Sequence, residues 1–142
     1  MKTIYVNERD AVRDWYVIDA ANQPLGRVAA KVAFVLRGKH KVTFTPNQEM
    51  GDYIVIINAD KVAVTGNKFE GKMYHHHTGY VGGLKSATFR KVLERHPEEP
   101  LMLAIKGMLP NGRLGRKLLK NVKVYAGANH PHTAQNPKTM EL

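Results

Sequence analysis

The order of hydrophobic patterns along the 142 residues predicts a three-layer α/β domain. Three observations carry this expectation. A short apolar run, Trp15 to Ala20, is rich in strand formers. Behind it the apolar residues change to helical spacing, at Val28, Val32, Val35 and Leu36 with Ala29 and Ala33 beside them. Then comes the most apolar run of the chain, Asp52 to Asp60. Strand, helix and strand in that order favour a parallel pair joined by a right-handed crossover. The length suits one domain, residues 1–142, and a hydrophobic content of 43% suits a buried core.

Each element has its own signal. Asn22-Gln23-Pro24 reads as a turn in which Asn22 caps the first helix and Pro24 suits its first turn. Gly38 reads as that helix's stop. The run from Asp52 to Asp60 reads as a strand buried on both faces, as parallel strands are. Lys61 to Thr65 alternates like a short strand, and Thr65-Gly66-Asn67 is a turn. Lys72 to Thr78 reads as a further strand, followed by a glycine-rich loop from Gly79 to Gly83. Ser86 is positioned to cap a helix running to Arg95, with Phe89, Val92 and Leu93 inward and Pro97 beyond its end. Pro100 starts a helix reaching Met108, and Pro110 to Gly112 breaks it. A short basic helix is expected over Leu114 to Lys120, then a last strand over Val122 to Ala126. Residues 1–13 read as an N-terminal extension. Residues 128–142 read as an extended tail, or a loop packed on a partner.

The charge balance speaks about partners. There are 22 Lys and Arg against 12 Asp and Glu, a net charge of +10, which points to a polyanion and first to nucleic acid. The basic residues are segregated. Between Ala20 and Gln48 stand Arg27, Lys31, Arg37, Lys39 and Lys41 with no acid. Between Pro100 and Met140 stand Lys106, Arg113, Arg116, Lys117, Lys120, Lys123 and Lys138, again with no acid. The cluster from Arg37 through Lys39 and His40 to Lys41 follows a helix end where glycine allows close approach to a phosphate. Each cation that meets a phosphate releases counterions. Taken alone, such a cluster could equally complement the helix dipole. The spacing of Arg113, Arg116, Lys117 and Lys120 puts three of the four on one broad helical face.

Other chemistries find weaker support. With no cysteine, disulfides, thiol catalysis and cysteine-based zinc sites are absent. In a strand, His75 and His77 would share a face without His76, and two histidines are too few for zinc. His130 and His132 could add ligands, but nothing in the sequence places them nearby. Stacking on bases or donation to phosphate is the reading for His75, His76 and His77. Gly79 to Gly83 lacks both phosphate-loop patterns. Gly112 to Gly115 has the GxxG form of a KH loop without the elements around it. Asp52 and Asp60 flank a strand where caps and turns want carboxylates. Trp15, Tyr16, Phe44 and Tyr53 read as core or core edge, whereas Tyr74, Tyr80 and Tyr125 lie beside basic or glycine-rich stretches and suit stacking. No run approaches the ~18 apolar residues of a membrane span, and Met1 to Arg13 lacks the apolar core of a signal peptide. The expectation is a cytoplasmic protein that is not an enzyme, with no cofactor and no metal.

Several blocks, in order, resemble the bacterial large-subunit ribosomal protein L13 family. They include Trp15-Tyr16-Val17-Ile18-Asp19-Ala20, Leu25-Gly26-Arg27 and Leu36-Arg37-Gly38-Lys39-His40-Lys41. Gly51-Asp52-Tyr53, Asn58-Ala59-Asp60-Lys61, Thr65-Gly66-Asn67-Lys68 and His76-His77-Thr78-Gly79 follow. Ile105-Lys106-Gly107-Met108-Leu109-Pro110, Gly115-Arg116 and Val122-Lys123-Val124-Tyr125-Ala126-Gly127 complete the likeness. Asn47 departs from it, standing where the family commonly has histidine. The resemblance implies a mainly parallel four-stranded sheet with helices on both faces. It also implies a structural constituent of the large subunit that binds ribosomal RNA, contacts neighbouring ribosomal proteins and acts early in subunit assembly. Lys61, Lys68 and Lys72 join the candidate RNA contacts on this reading. The alternatives are a free-standing RNA or DNA chaperone and a small nucleotide- or metal-using enzyme.

Overall fold

The computed structural model describes residues 2–142; Met1, the first residue of the expected N-terminal extension, lies outside the described residues. Among the described residues six strands and five α-helices follow one another: β1 (Trp15–Asp19), α1 (Leu25–Arg37), β2 (Tyr53–Ile57), α2 (Lys68–Gly71), β3 (Met73–His77), β4 (Leu84–Thr88), α3 (Phe89–Arg95), α4 (Glu99–Met108), α5 (Arg113–Leu119), β5 (Val122–Val124) and β6 (Lys138–Thr139). Four of the strands form one sheet in the order β5-β2-β1-β6, and β3 pairs with β4 in a separate two-stranded sheet. Every pair within the larger sheet is parallel, with Trp15 opposite Tyr53, Ile54 opposite Val122 and Tyr16 opposite Lys138. The α/β class and the four-stranded parallel sheet agree with expectation.

The core follows from side-chain alternation. Ile18, Ile54, Ile56 and Val122 face one way and are packed with Val28, Val32 and Leu36 of α1, Phe89 of α3, Leu101 and Ile105 of α4, and Leu118 of α5. The longer helices therefore gather on a single face of the sheet. Val55 alternates to the opposite face and is also fully buried. That face carries a stack in which the Trp15 ring lies 4.7 Å from Tyr53 and 5.2 Å from His132. His132 belongs to a short 3-10 helix, His132–Gln135, so the third layer is thin.

Some local expectations change. Asn22 adopts a left-handed turn with φ 58° and caps nothing; Pro24 holds the N-cap position of α1. The expected strand from Lys61 to Thr65 reduces to one bridge, Ala63 beside Pro24, after a 3-10 turn over Ala59–Lys61. Ser86 is no helix cap: it sits in β4 opposite His75, and the Thr88 side chain caps α3 by accepting the Lys91 amide at 3.4 Å. The tail folds back on its own chain. Its residues 138–139 supply β6, and the Met140 amide donates to the Val17 carbonyl at 2.9 Å.

Candidate nucleic-acid interface

The first basic cluster is shaped by the end of α1. Gly38, at φ 81°, turns the chain so that its amide bonds the Val35 carbonyl at 3.0 Å. The returning strand lead-in packs tightly there, since a Cβ on Gly51 would fall 1.8 Å from the Leu36 carbonyl oxygen. This turn sorts the cations. Lys39 is exposed and has no carboxylate nearby among the described residues. Lys41 points inward: its ammonium lies 2.6 Å from Asp52 Oδ1 and 2.6 Å from the Val12 carbonyl. His40 Nε2 lies 2.6 Å from Asp52 Oδ2. Asp52, 1% exposed, also accepts the Asp14 amide at 2.9 Å. Arg37 lies over the Phe44 ring and donates weakly to the Pro46 carbonyl, leaving its Nε and Nη1 buried without a partner.

The second cluster is carried by α5. Gly112, at φ 107°, turns the chain into the helix, and Gly115 sits against the Pro110 carbonyl, where a Cβ would come within 1.6 Å. Arg113, Arg116 and Lys120 stay exposed, with Arg116 Nε donating to the Gly112 carbonyl at 3.2 Å. Lys117 turns to the N-terminal segment. It bonds Glu8 and lies 3.0 Å from Glu49 Oε2. Glu49, 3% exposed, also takes Arg13 at 3.1 Å and the Asn121 amide. Burial opposes the ionisation of Glu49. The hydrogen bonds from Asn121 and Lys117, with the charge of Arg13, outweigh it and hold the carboxyl below its ordinary value. Bonding to Glu8 and Glu49 raises the Lys117 ammonium in turn.

Three adjoining grooves run across the helical layer and bring the free cations together. One of about 490 Å³ is lined by Phe34, Arg37, Lys39, Met108, Leu109 and Pro110 among others. It shares Leu109 and Pro110 with a second of about 210 Å³ that holds Lys106 and Arg116. That one shares Arg116 and Leu119 with a third of about 580 Å³, beside β5, which holds Lys120 and Lys123. Among the described residues that line the track, Glu98, in the third groove, is the one acid. Among the described residues, only Arg13, Lys41, Arg90, Lys117 and Lys138 of the 22 lysines and arginines lie within 4.0 Å of a carboxylate. The positive field is therefore left open to solvent rather than neutralised within the chain.

The remaining candidates lie elsewhere. Arg27 is exposed on α1 and Lys61 follows β2. Lys68 reaches Thr65 across the turn before α2, and the Lys72 ammonium stands 5.4 Å from the Tyr74 ring centre. The histidines sit on β3. His75 Nδ1 lies 2.6 Å from Ser86 Oγ, and His77 Nδ1 accepts the Gly79 amide at 2.9 Å. His76 faces Lys85 across the strands. Lys85 escaped the sequence reading because β4 did; the glycine loop between two short runs was the available hairpin signal. His130 and His132 pack with Tyr125 and Trp15 instead. Among the described residues no group of three or more His, Cys, Asp or Glu is placed to hold a metal ion, and no helix is long and apolar enough to cross a membrane.

Known proteins share this arrangement of blocks. A family described as ribosomal protein L13 matches residues 13–131. The chain is 68% identical over 142 residues, covering 100% of both sequences, to the large ribosomal subunit protein uL13 of Treponema denticola. It is 65% identical over 137 residues, 96% of each, to the protein of that name from Treponema pallidum. The corresponding Teredinibacter turnerae protein is 58% identical over 142 residues, with 100% of both covered. On these grounds the chain belongs to the ribosomal protein L13 family.

Proposed function

We propose that this protein is a structural, non-enzymatic constituent of the large ribosomal subunit and binds its ribosomal RNA. Membership of the family and the names of its relatives support the first part. The single observation behind the second is the groove track from Arg37 and Lys39 through Lys106 and Arg116 to Lys120 and Lys123, almost free of acids. Phosphates seated along such a track displace condensed counterions, the main source of affinity in protein–nucleic acid contacts. Phe34, Met108, Leu109 and Leu119 supply apolar walls beside these cations. Arg27, Arg113, Lys61, Lys68 and Lys72 add to the field at a distance. His40, Lys41 and Lys117 contribute by holding the loop and α5 in place more than by reaching RNA. The same reading places the protein in cytoplasmic ribosomes beside other large-subunit proteins, with an early part in assembly.

The test is salt dependence. Full-length protein binding large-subunit ribosomal RNA should lose affinity steeply as salt rises. Lys39→Ala and Arg116→Ala should each lower the slope of log affinity against log salt by about one. Binding that is unchanged after both substitutions, or a protein found mainly away from ribosomes on sedimentation, would sink this reading.

A further inference from the structure

Among the described residues the β3–β4 hairpin has no hydrogen-bonded partner strand in the main sheet. It is rooted at one end only. Tyr74 stacks on the buried Phe89, with Phe69 edge-on to the same ring, and the Phe89 amide donates to the Lys72 carbonyl at 2.8 Å. Beyond Tyr74 the strands are exposed on both faces up to Ser86. Two-stranded ribbons are marginal in water unless something covers them. This one nevertheless ends in apolar side chains held high. Tyr80 is 80% exposed, Val81 fully so, and Leu84 61%.

The tip is built, not loose. Gly79 and Gly82 turn the backbone at φ 92° and 69°. The Thr78 amide bonds the Gly83 carbonyl at 3.0 Å and the Gly83 amide bonds the Tyr80 carbonyl at 2.9 Å. His77 ties down the Gly79 amide, and a Cβ on Gly83 would strike Thr78 Oγ1 at 2.0 Å. These contacts fix the backbone that carries Tyr80 and Val81 before any partner arrives, which lowers the ordering cost of binding. The surrounding chemistry chooses the partner. Arg90 at the root is ion-paired with Glu70 and Glu94, but between them no acid occurs, while Lys72, Lys85 and Lys91 are present without a carboxylate partner among the described residues and His76 faces Lys85. A cationic stalk carrying a rigid aromatic tip suits an unpaired nucleotide, the phosphates meeting Lys85 and His76 and the base lying on the Tyr80 ring.

We propose that this hairpin is a stacking arm: Tyr80 receives an unpaired base of the ribosomal RNA and Val81 wedges beside it. The proposal rests on the RNA-binding reading above and adds a contact that phosphate attraction does not supply. Stacking and ion release separate cleanly in salt titrations, because stacking shifts the whole line without altering its slope. With full-length protein and deproteinised large-subunit ribosomal RNA, Tyr80→Ala should lower affinity by roughly five- to a hundredfold at every salt concentration. Its slope should match the unsubstituted protein's, and Tyr80→Phe should restore the affinity. A photo-crosslinker placed at position 80 in the assembled subunit should give an adduct on a nucleotide. The proposal is overturned by a silent Tyr80→Ala, by a slope that falls with it, by a Tyr80→Phe as weak as Tyr80→Ala, or by an adduct on protein. If Lys39→Ala and Arg116→Ala still lower the slope, those outcomes remove the stacking arm alone and leave the RNA reading intact.

Discussion

The Lys41 ammonium lies 2.6 Å from the buried Asp52 carboxylate, which bonds His40 through its other oxygen and the Asp14 amide besides. One acid thus ties the loop after α1 to the lead-in of β1 and the start of β2. Removing a fully buried ion-pair partner costs about 3–5 kcal/mol. Lys41 and His40 keep some contact with water, so Asp52→Asn should cost less, about 2–3 kcal/mol, by urea denaturation. Lys41→Ala should cost about 1.5–3 kcal/mol with little change in salt slope. Lys39→Ala should leave stability within about 0.5 kcal/mol and act on the slope alone.

Glu49 makes the fold sensitive to acid. A carboxyl held below its ordinary value takes up its proton less readily folded than unfolded. Its stabilising contribution is complete above the unfolded value, about pH 4.3, and is lost as the pH falls through the folded one. Glu49→Gln should lower stability at neutral pH and flatten the decline below about pH 5. Denaturant titrations across that range, run on both proteins, check it.

Gly115 sets how closely α5 approaches the turn before it. A methyl group there would overlap the Pro110 carbonyl oxygen, which is backbone and cannot swing aside. Gly115→Ala should therefore cost about 3 kcal/mol or more. Because α5 must move away, Arg116 and Lys120 leave the track and RNA affinity falls as well. Thermal melting with RNA titration of the same variant reads both effects.

Trp15 reports on the tail. It is the single tryptophan of the chain, and His132 lies over it. Ending the chain at Gly127 removes that cover together with β6. Emission should shift to the red, and stability should fall by about 1–3 kcal/mol.

The sequence shows the helix-side core plainly, because Val28, Val32 and Leu36 repeat at a helix's own period and Ile54, Val55 and Ile56 stand in one unbroken run. Elements too short or too polar to have a period stay hidden. Leu84–Thr88 is a strand because the hairpin closes on it, and Lys138–Thr139 is one because β1 offers an open edge. The sorting of cations is hidden for a related reason. Lys39 and Lys41 look alike in the chain, and what separates them is a carboxylate eleven residues beyond Lys41, brought close by the return of the chain. Charge counting finds the clusters; it does not tell a tether from a free hand.

The pairing of β6 with β1 has a consequence in time. Tyr16 and Val17 wait for Lys138 and Thr139, more than 120 positions downstream. During synthesis β1 can meet β2 much earlier, since Trp15 pairs with Tyr53 and not with a residue more than 120 positions on. The sheet stays three strands wide, with one flank of β1 bare, until residues 138–139 have been made. Completion of the sheet thus waits on a segment made long after the strand it pairs with.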